Sequence, residues 1–390
     1  MTTPGLTAGE NIPVSLLTGF LGSGKTTVLN HLLQCPELSN TVVVINEFGE
    51  IGLDHELIES STEDLVLLKS GCLCCTIRGD LIDVLRSLAH RRAHDEITRF
   101  DRVVIETTGL ADPAPILHTL MTDPVLAQHY RLEGVITVVD AAVGMATLDR
   151  QIESVKQAAV ADRLLLTKTD LVDSETRGAL VERLKALNPA APVIQARGGI
   201  VNPARLFDTG LYNPATKSLD VRKWLNAEAF EAGGHHHGQA QDSALHRHDH
   251  GATANGQAHA HAHHPNRHDD HIRAVCLTVD DPIDGDAFDG WLEALLVLRG
   301  PDILRVKGIV NIRNLKGPLV FHGVQHVFHP PIMLKKWPGG DRRTRIVFIV
   351  RDMSESGLRE TLAMFTSPAA APVMPRVSGT PEAERAAAHP

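Results

Sequence analysis

The stretch Thr18–Thr27, TGFLGSGKTT, decides how the rest of this chain is read. It carries the pattern G-x-x-x-x-G-K-T, with Gly19, Gly24, Lys25 and Thr26 at the fixed places. Glycines let the backbone turn tightly enough for successive N–H groups to converge on phosphate oxygens. Lys25 is placed to neutralise charge on the β- and γ-phosphates, and the Thr26 hydroxyl to ligate Mg²⁺. The helix that follows aims its N-terminus at the same anion. The flanks suit this reading, because PVSLLT before the loop has a strand pattern and KTTVLNHLLQ after it a helical one. Nucleoside triphosphate binding through Gly19, Gly22, Ser23, Gly24, Lys25, Thr26 and Thr27 is the expectation.

Outward from the loop, short β-branched runs alternate with helical patterns over the first half of the chain. The candidate strands are Val14–Thr18, Val42–Ile45, Leu65–Lys69, Arg102–Glu106, Gly134–Val139, Arg163–Thr167 and Pro192–Gln195. The clearest helical patterns are Lys25–Gln34, Asp80–Arg92 and Glu175–Leu187. Such alternation predicts an α/β domain with a mostly parallel sheet, over 12–226 after a flexible segment 1–11. The composition then changes abruptly: Gly233–His271 holds 12 of the chain's 22 histidines and almost no apolar periodicity, so 227–271 reads as a disordered His-rich linker. Order resumes at Ile272. IRAVCLTV, DILRVKGIVNI, PLVFHGVQHVFH and TRIVFIV read as strands, and DAFDGWLEALLVL and Glu355–Phe365 as helices. The order β-α-β-β-β-α predicts a smaller α+β domain over 272–367, an antiparallel sheet with helices on one face. The stretch 368–390, rich in Pro, Ala and charge, reads as a disordered tail.

Two later motifs bear on the nucleotide. In DRVVIETTGLADP an apolar strand ends in Glu106, and Gly109 follows. A strand-end carboxylate can hold Mg²⁺ through water, and a glycine N–H three residues on can meet the γ-phosphate, so Lys25, Glu106 and Gly109 are the candidate catalytic groups. In LLLTKTDL a strand runs into Thr167, Lys168, Thr169 and Asp170, similar to the N-K-x-D guanine signature. The Asp170 carboxylate would accept from both N1–H and the exocyclic amine of guanine, a donor pair that adenine lacks. GTP is therefore favoured over ATP, with Thr167, Lys168 and Asp170 at the base; an ATP-dependent kinase or transferase is the competing class. Thr167 stands where the signature has Asn, which removes an amide that braces the site.

The chain has five cysteines, and three of them, Cys72, Cys74 and Cys75, crowd into SGCLCC. An odd, small number is no secreted disulfide framework, so reduced thiols and a cytoplasmic location are expected. Zn²⁺ takes thiolates and wants four ligands in structural sites. Three cysteines thus suggest a site with one position for water, an acidic residue or His118, able both to hold an ion and to release it. A vicinal disulfide or redox switch is the competing reading. Cys276 is expected to be a buried small hydrophobe. The preceding INEFGEIGLD lies where a first switch segment would, and Glu47, Glu50 or Asp54 could contact Mg²⁺ or the exchangeable metal, with Glu47 the candidate metal ligand carried forward. The net charge of −9 comes without a Lys/Arg stripe, which speaks against nucleic acid, and no apolar run approaches a membrane span.

GFLGSGKTT, INEFGEIGLD, SGCLCCTIRGDL, ETTGLADPAP, TVVDA and TKTDL, in this order, resemble the CobW-like GTPases of the SIMIBI class of P-loop proteins. LRVKGIVNI, VQHVFHPP and DRRTRIVFIV look like the C-terminal domain of that family. The resemblance implies GTP hydrolysis with Mg²⁺, and Zn²⁺ held by Cys72, Cys74 and Cys75 and delivered to a client apo-metalloprotein. ETTGLADPAP and TIRGDL look more like the zinc-transferring branch than the cobalt- or iron-associated ones. It is also compatible with a nucleotide- or metal-dependent homodimer, and with neither a membrane nor a nucleic-acid partner. A His-rich zinc store with little catalytic role is the alternative from a different class.

Overall fold

The structure, a computed structural model, describes residues 11–48, 65–70, 76–207, 271–328, 331–337 and 340–366. The segments 1–11 (apart from Asn11), 227–270 and 368–390, for which flexible or disordered roles are expected from sequence, lie outside them.

The first domain runs β1 (Ile12–Gly19), α1 (Lys25–Leu33), β2 (Thr41–Phe48), β3 (Leu65–Ser70), α2 (Thr76–Ala93), β4 (Arg102–Thr107), α3 (Ala114–Thr122), α4 (Leu126–His129), β5 (Tyr130–Asp140), α5 (Gly144–Arg150), α6 (Ile152–Val160), β6 (Arg163–Thr167), α7 (Ser174–Leu187) and β7 (Val193–Gln195). Seven strands form one sheet in the order β3-β2-β4-β1-β5-β6-β7, every pairing parallel. β1 and β4 are buried along their whole length, as strands covered by helices on both faces must be. One face packs Val14, Leu16, Val103 and Ile105 under α2 and α3; the other packs Leu17, Val43, Val104 and Val138 under α1. All C-terminal strand ends therefore open on one edge, with β1 at the centre, and the loops after β1, β4, β5 and β6 gather there.

The second domain comprises β8 (Ile272–Val279), α8 (Gly285–Arg299), β9 (Ile303–Val310), β10 (Leu319–Val324), β11 (Val327–Phe328), β12 (Ile332–Met333), β13 (Thr344–Arg351) and α9 (Glu355–Thr366). Its antiparallel sheet has the order β11-β10-β9-β13-β8, with β12 paired to β10. The Asp284 carboxylate accepts from the Asp286 and Ala287 N–H groups and starts α8. Phe288, Trp291 and Leu295 of α8 and Leu358 and Leu362 of α9 pack on Val306, Phe348 and Val350. The expected α+β unit is present, with one difference. PLVFHGVQHVFH reads as a single strand but folds as a hairpin, because Gln325 takes a left-handed φ of +54° and Gln325–His326 turn the chain between the paired Val324 and Val327. Cys276 is half-buried beside Ile309 and Val347, less enclosed than expected.

β9 and β13 are buried on both faces for a reason their alternation alone does not reveal. One face meets the domain's own helices; Leu304 and Ile349 on the other join Ala158, Leu164 and Leu184 of the first domain. Val324 joins the core that holds Leu117 and Leu120 of α3. Within this interface Asp162 is completely buried and takes Arg305 and Lys307 from β9, each at 2.8 Å, while its other oxygen accepts from the Val135 N–H at 3.0 Å. Among the described residues no helix is long and apolar enough to cross a membrane.

Candidate nucleotide site

α1 starts at Lys25 directly behind Gly24, which sits at φ +93° and offers no side-chain cap. A non-glycine residue would be strained there, and the bare helix N-terminus leaves its N–H groups to an anion. The Lys25 ammonium is buried and donates to the carbonyls of Gly19 (2.9 Å) and Phe20 (3.3 Å), so the side chain curls back over the loop it follows. Next to it the Thr26 hydroxyl donates to Glu106 Oε1 at 3.3 Å. Glu106 reaches this point because β4 lies beside β1 with Glu106 in register with Leu17. These are two hard oxygen donors at the foot of a phosphate loop, the ligand chemistry that Mg²⁺ takes alongside substrate phosphate.

Gly109 touches the same loop. A Cβ there would lie 2.5 Å from the Leu21 backbone nitrogen, so only glycine lets the post-β4 segment approach the phosphate loop this closely. That segment is gripped from behind by α6: Gln157 Nε2 donates to the carbonyls of Gly109 (3.1 Å) and Ala111 (3.0 Å), and Lys156 pairs with Asp112 at 3.0 Å.

The turn after β6 closes the other side. The Thr167 hydroxyl donates to the Ser23 carbonyl at 2.6 Å, binding the end of β6 to the phosphate loop. The threonine thus supplies a brace of its own where the lost asparagine amide was expected to leave none. Lys168 holds a left-handed φ of +52°, costly for a long side chain, and is held there by Nζ bonds to the Gly22 carbonyl (2.8 Å) and Asp140 (2.6 Å). Asp170, two residues past Lys168 in the same turn, is exposed. The valine variant Thr167→Val should leave the Ser23 carbonyl unpaired and cost about 1–2 kcal/mol. We expect guanine-nucleotide affinity to fall by about 5–30-fold, with Thr167→Ser near wild type, in a titration with a fluorescent nucleotide.

The side chain of Glu47, together with Glu50, Asp54 and the cysteines Cys72, Cys74 and Cys75, lies outside the described residues. The Glu47 backbone is the last but one residue of β2, two residues past Ile45, the register partner of Glu106. Among the described residues no group of three or more His, Cys, Asp or Glu side chains is arranged for a metal ion. Two contributors were missed from sequence, Asp140 and Gln157. Asp140 carries a usable signal, an acid closing the apolar run GVITVVD, the same signature that marks Glu106. Gln157 carries none, since a glutamine within a helical pattern is unremarked until its partners are known.

The CobW/HypB/UreG nucleotide-binding domain matches residues 13–195, and the cobalamin synthesis protein cobW C-terminal domain matches 272–366. The zinc chaperone YjiA of Escherichia coli is 32% identical over 356 residues, which cover 90% of this chain and 98% of the relative. The chain belongs to the CobW/HypB/UreG family. This CobW-family chain is also 33% identical, over 220 residues, to the zinc-regulated GTPase metalloprotein activator 1 of Schizosaccharomyces pombe, covering 54% of this chain and 52% of the relative. Its fold is similar to the crystal structure of the Zn(II)-bound YjiA GTPase from E. coli, with a TM-score of 0.62, 27% identity and coverage of 91% of this chain and 99% of the other.

Proposed function

We propose that this chain is a GTP-hydrolysing zinc metallochaperone whose hold on the cargo ion depends on the nucleotide. The observation that carries the reading is the meeting of three loops on one sheet edge: the phosphate loop, Glu106–Gly109 against it, and the Thr167–Asp170 turn bonded to it. Gly19, Gly22, Ser23, Gly24, Lys25, Thr26 and Thr27 bind the phosphates, and Thr167, Lys168 and Asp170 bind guanine. Thr26, with Glu106, is the Mg²⁺ site; that ion, when bound, neutralises charge developing on the β- and γ-oxygens. Lys25 draws charge from the transferring phosphoryl group, and Glu106 and Gly109 place water and sense the γ-phosphate. Zn²⁺ is the cargo of Cys72, Cys74 and Cys75, with Glu47 a further ligand, and an apo-metalloprotein in the cytoplasm is the recipient. The zinc named in the relatives favours zinc over cobalt or iron.

Glu106 and Gly109 move with the γ-phosphate, and the cysteine run follows β3, in the same parallel sheet. Two sites that share a moving element are coupled, and the coupling is reciprocal. Zinc affinity is expected to differ by about 5–150-fold between the GDP form and a non-hydrolysable GTP analogue, read by competition with a chromogenic chelator. The Cys72/Cys74/Cys75→Ser variant should lose the nucleotide-dependent component. Equal affinities in both nucleotide forms would end the proposal.

A further inference from the structure

The helix α6 touches both the nucleotide edge and the second domain. Lys156 and Gln157 face the nucleotide edge. The Gln157 side chain is completely buried, and its Nε2 lies 3.1 Å from the Gly109 carbonyl and 3.0 Å from the Ala111 carbonyl. Carbonyl oxygens only accept, so both amide protons are committed to this segment and the amide cannot be turned round. Its Oε1 is buried with no hydrogen-bond partner among the described residues, so the side chain is oriented for the two carbonyls while its own acceptor goes unused. Lys156 adds an ion pair to Asp112 at 3.0 Å. Adjacent positions of one helix thus hold three of the four residues from Gly109 to Asp112.

The opposite side of α6 meets the second domain. Val155, Ala158 and Ala159 share a core with Leu304 of β9 and Ile349 of β13. A helix turns about 100° per residue, so 155, 158 and 159 form one face and 156 and 157 the other. The C-terminal end of α6 is pinned as well. The Thr137 hydroxyl donates to the Gln157 carbonyl at 2.7 Å, and the Asn188 amide lies 2.9 Å from the Ala158 and Ala161 carbonyls. Two residues past the helix, Asp162 takes Arg305 and Lys307 of β9. Side chains therefore satisfy last-turn carbonyls that a helix leaves without intrahelical partners. A shift of Gly109 must either strand a buried amide donor or carry α6 with it, and α6 cannot move without disturbing its packing on β9.

We propose, resting on the reading of Gly109 as the group that meets the γ-phosphate, that Gln157 is a positioning residue for this sensor and that α6 carries the sensor's state to the second domain. Gln157 keeps Gly109 against the phosphate loop, where its N–H is needed for a triphosphate and not for a diphosphate. The packing of α6 on Leu304 and Ile349 in turn keeps Gln157 in place. Coupling of this kind is reciprocal, so loosening the seam weakens the preference for the triphosphate.

The test is a thermodynamic cycle on the full chain, with affinities for GDP and for a non-hydrolysable GTP analogue measured in Mg²⁺ by titration with fluorescent nucleotides. Gln157→Met keeps the side-chain length and loses both donors. Its affinity for the analogue should fall about 5–30-fold while that for GDP stays within about twofold. Lys156→Met, at a half-buried position, should give a smaller fall in the same direction, about two- to threefold. Leu304→Ala should lower analogue affinity about fivefold or more, with no further fall when it is combined with Gln157→Met. A purely structural role for Gln157 would weaken both nucleotides alike; that result, or additive effects of Leu304→Ala and Gln157→Met, overturns the proposal. A wild type that binds the two nucleotides equally overturns the sensor reading and the relay together. A wild type that discriminates between them, with Leu304→Ala unchanged, overturns the relay alone. Leu304→Ala and Lys156→Met decide the matter even if Gln157→Met folds poorly.

Discussion

Asp170→Asn should turn a guanine site into a xanthine site. In the proposed assignment the Asp170 carboxylate accepts two N–H bonds from guanine, whereas asparagine would keep one acceptor and turn an amide donor toward the exocyclic amine. Xanthine has an oxygen at that place and restores the match. Sites built on paired hydrogen bonds reject the wrong partner by about 10⁴-fold, so a swing of that order in kcat/KM between GTP and xanthosine triphosphate is expected. Asp170 is exposed, and the turn is held by other bonds: Leu171 N–H to the Lys168 carbonyl at 3.1 Å, and Lys168 to Gly22 and Asp140. Stability should therefore change by no more than about 0.5 kcal/mol, so that altered selectivity is not confused with unfolding. Unchanged GTP preference, or equal use of ATP by the wild type, would remove guanine from the reading.

The second large effect concerns the seam between the domains. Removing the carboxylate in Asp162→Ala leaves Arg305 and Lys307 buried without their counter-charge and the Val135 N–H without its acceptor. Breaking a buried ion set in this way costs about 3–5 kcal/mol, to be read by urea denaturation followed through the fluorescence of the chain's tryptophans. The pH dependence has a definite sign. Burial by itself would raise the Asp162 pKa, but the charges of Arg305 and Lys307 and the bonds from Lys307 and Val135 outweigh it and hold the carboxyl well below the usual range. A carboxylate depressed in the folded state contributes stability above its unfolded pKa of about 3.9, and that stability is lost as pH falls toward the folded value. Wild type and Asp162→Ala should thus differ most near neutral pH and converge in acid. Burial also pushes the Lys307 ammonium down to about 8 against the pull of Asp162, since two bases share one carboxylate. A seam with parallel curves down to pH 2 would show that Asp162 is not what holds it.

How much could be read beforehand follows from how far each signal reaches along the chain. β1, β4 and β6 announce themselves as apolar runs ending in Gly19, Glu106 and Thr167, because a strand buried on both faces has no polar alternation to blur it. The phosphate loop is equally legible, since its glycines and Lys25 act within eight residues of one another. The hairpin at Gln325–His326 was missed because its turn uses neither Asn-Gly nor Gly-Gly, and only a left-handed Gln325 makes it. Asp162, one acid before a strand, gives no hint of two partners more than 140 positions away.

Local chemistry, then, was decided by the order of residues alone: a nucleotide loop, a guanine-type turn, the three-thiol run, and two domains of the CobW type. Which distant groups meet was decided only by the tertiary structure: Thr167 with the Ser23 carbonyl, Gly109 with Leu21, Asp162 with β9, Gln157 with the Gly109 carbonyl. The reason is physical. A motif encodes backbone geometry and charge within a few residues, whereas a contact between remote positions depends on how two buried surfaces pack, and many sequences satisfy the same packing.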